Sequence, residues 1–480
     1  MILALINLPL LAALVVWFMK PGMNRVRVLP VVGVAHFLLV FTALFHVFHL
    51  RPDAWFRLDA LGGWVLVTVS ILFNICAFYA PAYLALRLDR DFRVFSACML
   101  LFLGMASLVA TARHPGVLWA GMGAMTLSTT PLLYFNHNKR SLEATWKYLV
   151  LCSVGMALAL LGTFFVAYAA QLGGLGEPLY YDHLVAAAPT LPPQATQWLK
   201  AGFVLLLVGF GTKMGLAPMH TWKPDAYGET PGIVGTILAG GVTSLAFLAL
   251  LRMYAVLAAA GQGPFARHIL VFMGLLSMAW AFVFMVRQAD LRRLLAYSSV
   301  EHMGILVFGI GIGGAATRFA LYHLAANALV KSVLFLASGN IVRSFSSRNL
   351  ADLSGAMRRL PVSGWCFLLG FLAIVGTPPF APFYSIFGIT GAALAGGHLL
   401  AVTLFLVLLG GIFVAMGSTI LPVLQGTPNP SRVRSQHHDT PGTTGPVLAA
   451  LLLALALGLW LPSPMAGLLN RAAALVEGRP

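Results

Sequence analysis

Two stretches of this 480-residue chain place proton-carrying side chains inside apolar sequence. The first, residues 209–231, reads GFGTKMGLAPMHTWKPDAYGETP. It opens as an apolar helix, carries Lys213 deep in that run and breaks at Pro218, after which come His220, Lys223, Asp225 and Glu229. An ammonium at the centre of a bilayer costs roughly 3 kcal/mol or more, so a lysine there is rare. A proline in a spanning helix frees backbone carbonyls, which is tolerated where they line protein or a wet cavity. Charge and breakage at one depth point to an ion path. The competing reading is a kinked helix whose lysine snorkels to the headgroups.

The second stretch, residues 318–340, reads RFALYHLAANALVKSVLFLASGN. His323, Asn327 and Lys331 are spaced four apart and share one helical face. A polar stripe on an apolar helix should face protein or water and not lipid. Glu301 and His302, in AYSSVEHMG, lie one to two turns into the preceding apolar run, and Glu143 and Lys147 stand four apart at the start of another. Amines and imidazoles held away from bulk water can bind and release a proton, so the pattern fits ion transfer. A purely structural polar network between helices would use the same residue types.

Helices that cross a membrane are needed to position these groups. The chain is 59% hydrophobic and 9% charged, with mean hydropathy +0.88. Soluble domains carry about 25% charged residues, so the composition predicts an all-α polytopic membrane protein. A span needs about 20 apolar residues. Fourteen helices are predicted on that measure, near 2–19, 28–50, 60–86, 94–112, 116–135, 144–170, 198–217, 231–258, 266–286, 294–313, 317–342, 361–395, 398–423 and 447–466. The twelfth is interrupted by Pro378, Pro379 and Pro382. The N-terminal run lacks a basic leader and a small-x-small cleavage site, so it is expected to stay as the first span.

The net charge of +16 follows the loops and is not a nucleic-acid signal. One set of loops, holding Lys20, Arg93, Lys139, Lys223, Arg293 and Arg348 among others, carries roughly twice the lysines and arginines of the other set, which includes Arg57, Arg113, Lys200 and Arg471. The positive-inside rule makes the first set cytoplasmic and both termini external, in an expected bacterial cytoplasmic membrane. Residues 171–197 read as an outer linker with turn signals, and 424–446 as a flexible cytoplasmic loop whose His437 and His438 are solvated. Cys76, Cys98, Cys152 and Cys366 lie in apolar runs with no CxxC spacing, which predicts buried, inert thiols and no metal or cluster site. GIGIGG at 309–314 follows no strand and ends an apolar run, so it reads as helix termination and not as a dinucleotide loop.

The seventh and twelfth helices are both broken late by proline, five helices apart. Paired broken helices are the sequence pointer to an inverted repeat. The predicted division is 1–93 (helices 1–3), 94–258 (first repeat, helices 4–8), 259–423 (second repeat, helices 9–13) and 424–480 (loop and last helix).

GTKMGLAPMHTWKPDA, RQADLRRLLAYSSVEHMG and YHLAANALVKSVLFLASGNI resemble the antiporter-like membrane subunits of respiratory complex I, Mrp-type cation/proton antiporters and group 4 hydrogenases. WFRLDALGG, SLEATWKYL and GTPPFAPF are most similar to the hydrogenase-4 component F and formate hydrogenlyase branch. The resemblance implies fourteen helices, two inverted five-helix repeats and a hydrated polar axis at mid-membrane. It implies ion-translocation roles for Lys213, Lys331, His323 and Lys147, with Glu229, Glu301 and His302 as further candidates. Three positions depart from the pattern. Gly123 stands where a fifth-helix glutamate is usual, Asn327 where a second histidine is common, and Ile386 where the twelfth helix often carries a charge.

The expected function is therefore proton or sodium translocation by a membrane subunit, driven by redox chemistry in partner subunits and a peripheral redox module. No residue pattern here carries electrons, so no cofactor is expected in this chain. A structural subunit that has lost transport and a stand-alone cation/proton antiporter are the alternatives.

Overall fold

The computed structural model describes residues 1–46, 55–85, 87, 91–176, 179–427 and 437–478. The end of the predicted second helix and residues 428–436 of the predicted loop lie outside them. The described residues form helices in this order: α1 (Ile2–Phe18), α2 (Asn24–His46), α3 (Ala60–Leu84), α4 (Arg93–Thr111), α5 (Pro115–Leu133), α6 (Lys139–Leu172), α7 (Tyr181–Ala187), α8 (Pro193–Met214), α9 (Trp222–Glu229), α10 (Gly232–Thr236), α11 (Thr243–Leu257), α12 (Gly263–Met285), α13 (Leu291–Ile312), α14 (Ala315–Phe345), α15 (Ala356–Arg359), α16 (Pro361–Ile374), α17 (Ala381–Ala395), α18 (Leu399–Gln425), α19 (Pro441–Leu459) and α20 (Ser463–Val476). A π-helical segment, Ile237–Val242, joins α10 to α11. Ten helical stretches are long and apolar enough to cross a membrane, and α1, α16 and α17 are shorter apolar helices.

The centre of the molecule is α3, α11, α13 and α14, which are buried along most of their length. The Trp64 indole donates to the Leu321 carbonyl (2.8 Å) and the Tyr79 hydroxyl to Asn340 (2.6 Å), tying α3 to α14. Glycines set the closest contacts. A Cβ on Gly209 of α8 would lie 2.6 Å from the Gly155 carbonyl of α6, and one on Gly304 of α13 would lie 2.7 Å from the Gly274 carbonyl of α12. Without an apolar driving force between helices in lipid, such backbone-to-backbone approach is a main source of association.

The two broken helices end in the same way. At the end of α8, Gly215 has φ +71°; its amide donates to the Thr212 carbonyl (3.0 Å) and the Leu216 amide to Gly211 (2.9 Å). Past α16, Gly376 has φ +80°; its amide donates to Ala373 (3.1 Å) and the Thr377 amide to Leu372 (3.0 Å). This is the left-handed glycine cap that satisfies the last carbonyls of a helix. The seventh predicted helix therefore stops at Met214, before Pro218, and Lys213 sits in its last turn and not mid-run.

Other expectations are revised. The outer linker contains α7, because Arg113 clamps Asp182 at its first turn (2.7 and 3.0 Å). His437 is buried: its carbonyl accepts from the Ser344 hydroxyl (3.2 Å), while His438 is exposed. The C-terminal α20 is a helix beyond the fourteen predicted. GIGIGG does end a helix: α13 closes at Ile312, with Gly313 and Gly314 at positive φ. The four cysteines are free and buried.

Candidate functional site

The predicted site residues fall into a buried group and a surface group. Lys213, Lys331, His302 and His323 are fully buried, and Glu301 nearly so. Lys147 and Glu229 lie at one face of the molecule. There Lys147 pairs with Glu143 (2.6 Å) and Asp225 (2.8 Å), and Asp225 also pairs with Arg293. Glu229 pairs with Arg348 (2.9 Å). A cavity of ≈ 500 Å³ lined by Arg140, Glu229, Asp290, Arg293 and Arg348 opens here, beside one of ≈ 240 Å³ that reaches Lys147 and Asp225.

Inside, hydroxyl groups hold the amines. The Lys213 ammonium donates to the Tyr148 hydroxyl (3.2 Å), which contacts the Thr129 hydroxyl of α5 (2.8 Å); the Cys152 thiol lies alongside. No carboxylate pairs with Lys213 among the described residues. At Gly123, where a carboxylate would be expected from the resemblance, a Cβ would meet nothing within 4 Å. Glu143 and Glu229 do not supply the missing charge, since both are engaged at the surface.

The second centre is built by α13, α14 and α17. Asp290 caps α13 by accepting the Arg292 and Arg293 amides (2.8 and 3.0 Å), and Ser298, Ser299, Glu301 and His302 of that helix are all buried. Lys331 donates to the Ser298 hydroxyl (2.7 Å). The His302 Nδ1 and His323 Nε2 atoms are 2.9 Å apart, one imidazole donating to the other. His323 Nδ1 then meets the Ser385 hydroxyl of α17 (2.7 Å), next to Ile386. His302 Nε2 lies 3.8 Å from the Glu301 carboxylate. The stripe His323, Asn327, Lys331 faces protein along its whole length.

The hydroxyls of Thr129, Tyr148, Ser298, Ser299 and Ser385 and the Lys223 ammonium take part without belonging to the expected site residues. Ser298 and Ser385 are indistinguishable in sequence from the other hydroxyls of spanning helices. Lys223 stands in a polar, proline-bearing segment and was grouped with the cytoplasmic loop charges. It is fully buried, on α9, with its ammonium on the Ser299 hydroxyl (3.1 Å) and carbonyl (3.4 Å). The reason is that α9 folds back against α13 and shields one side of the segment. His220 Nδ1, the Tyr227 hydroxyl, His302 Nε2 and Asn327 Oδ1 are buried without a protein hydrogen-bond partner among the described residues. No group of histidine, cysteine and carboxylate side chains among the described residues could hold a metal ion.

The arrangement is a set of buried titratable groups held by hydroxyls in an apolar interior. The model of the family described as NADH:quinone oxidoreductase/Mrp antiporter, TM, matches residues 114–412. A hydrogenase-4 component F homologue from Methylacidiphilum infernorum is 34% identical over 426 residues, covering 86% of each chain. A chain of the Mrp complex from Dietzia sp. DQ12-45-1b superposes with TM-score 0.85 at 20% identity, over 99% of this chain and 96% of that one. A chain of respiratory complex I from Thermus thermophilus does so with TM-score 0.76 at 25% identity, over 96% and 97%. This chain, an integral membrane protein, belongs to the NADH:quinone oxidoreductase/Mrp antiporter membrane-subunit family.

Proposed function

We propose that the chain translocates protons, or sodium ions, as a subunit of a complex I-like or group 4 hydrogenase-like assembly, driven by redox chemistry in its partners. One observation carries the reading: fully buried lysines rest on hydroxyls, Lys213 on Tyr148 and Lys331 on Ser298, where stability alone gives no reason to keep a charge. Lys213 is the relay of the first half. Lys331, His323, His302 and Glu301 form the second half, and Lys147 and Glu229 tune the charge of the entry face. Four of the unpaired buried polar atoms among the described residues, on His220, Tyr227, His302 and Asn327, mark where water would complete the path. The fold reading that goes with this is fourteen spans with two inverted repeats, 94–258 and 259–423. The matching glycine caps at Gly215 and Gly376 favour it, one in each repeat.

The lack of a carboxylate beside Lys213 favours the second reading, a structural subunit that has lost transport. Lys213→Ala and Lys331→Ala separate the two. Ion movement by membrane vesicles should be lost in both while the complex still assembles; full pumping by both would exclude the relay. A cation/proton antiporter working without a redox partner would show proton flux in liposomes under a sodium gradient with no electron donor.

A further inference from the structure

We infer that Lys223 is the relay residue that joins the two halves, an assignment that rests on the reading above. The aliphatic stem of Lys223 lies across the cap that ends α8. A Cβ built on Gly215 would stand 2.4 Å from Lys223 Cδ and 2.5 Å from Cε. Lys223 is therefore packed on the backbone two residues past Lys213. Its ammonium donates to the Ser299 hydroxyl. Ser298, the preceding residue of the same helix, takes the Lys331 ammonium. The stem of Lys223 touches the cap of the helix that carries the first relay lysine, and its ammonium touches Ser299, the neighbour of the serine that holds the second.

Lys223 has no carboxylate ion pair among the described residues. The Tyr227 ring centre lies 5.9 Å from the ammonium. A side chain needed only for packing at this depth would serve as well without its charge. In the relay, each step moves one proton from an ammonium to a neutral amine and leaves the donor neutral. The hydroxyls on the way are Ser299 at Lys223 and Ser298 at Lys331, and each accepts one proton at its oxygen as it releases its own.

The test is ion flux in inverted vesicles of the native membrane, where the assembled complex is retained, with Lys223→Met, Lys223→Arg and Lys331→Ala compared. Methionine keeps most of the volume, and arginine keeps the charge but does not release a proton. The expected result is that both Lys223 variants lose flux by at least about tenfold, with assembly and thermal midpoint close to the parent. Flux retained by Lys223→Arg would overturn the assignment, because a fixed charge would then suffice. Parental flux in Lys223→Met with an inactive Lys331→Ala would overturn it while leaving the relay reading intact. Parental flux in all three would sink both. Ser299→Ala leaves every lysine in place and decides the matter if a Lys223 change blocks assembly. It should cost about fivefold, the scale of one hydrogen bond, and parental flux with it counts against the assignment.

Discussion

At the scale of single residues, the site is unusual in holding lysines with hydroxyls. Removing one partner of a buried ion pair leaves an uncompensated charge, but replacing a lone buried charge by an apolar group of similar volume is often neutral or stabilising, by about 1–4 kcal/mol. Lys213→Met and Lys331→Met should therefore unfold at or above the parental temperature in detergent while ion flux is lost. A marked fall in midpoint would identify the lysines as structural ties. The histidine pair obeys a separate constraint. With His302 Nδ1 and His323 Nε2 at 2.9 Å, one of these two nitrogens must be bare to accept, so the two rings cannot both be imidazolium in this geometry.

At the scale of elements, the two glycine caps do the positioning. Gly215 ends α8 one turn short of the proline, and its missing side chain leaves room for the Lys223 stem. Gly215→Ala should fail twice, through the positive φ and through collision with that stem. The expected outcome is a destabilisation of about 1–3 kcal/mol, read as a lower thermal midpoint, together with reduced flux. Much of this level was legible in the sequence. Hydrophobic runs located the helices, because apolar length is what a bilayer selects, and the four-residue spacing of His323, Asn327 and Lys331 marked a buried face. Helix ends were less legible. Sequence reading placed the break at the proline, whereas the backbone turned at the glycine before it. Lys223 was missed because Pro224, Asp225 and Glu229 give its segment the composition of a loop, and only the packing of α9 on α13 reveals the shielding. For the same reason His437, in a polar proline-rich stretch, proved buried.

At the scale of the whole molecule, charge is sorted to two faces. The ion pairs of Arg25, Lys147, Arg293 and Arg348 join residues on one side by the loop alternation, and those of Arg57, Arg113, Arg252 and Arg267 join residues on the other. Orientation in the membrane follows from which face is cytoplasmic. Because the four native thiols are buried, single cysteines can report it directly. A cysteine at the exposed Gln194 should react with an impermeant maleimide in intact cells, and one at the exposed Lys139 only after permeabilisation. The reverse pattern would invert the topology, and labelling of both in intact cells would break the span count.

The eight residues of α9 connect those two worlds. Asp225 and Glu229 grip basic groups at the aqueous face, while Lys223, a few residues away on the same two-turn rod, reaches into the buried interior. So short a helix does not bend between its own ends. A change at that face that loosens these carboxylates is carried to the amine within, which makes α9 a lever between the charged rim and the proposed path.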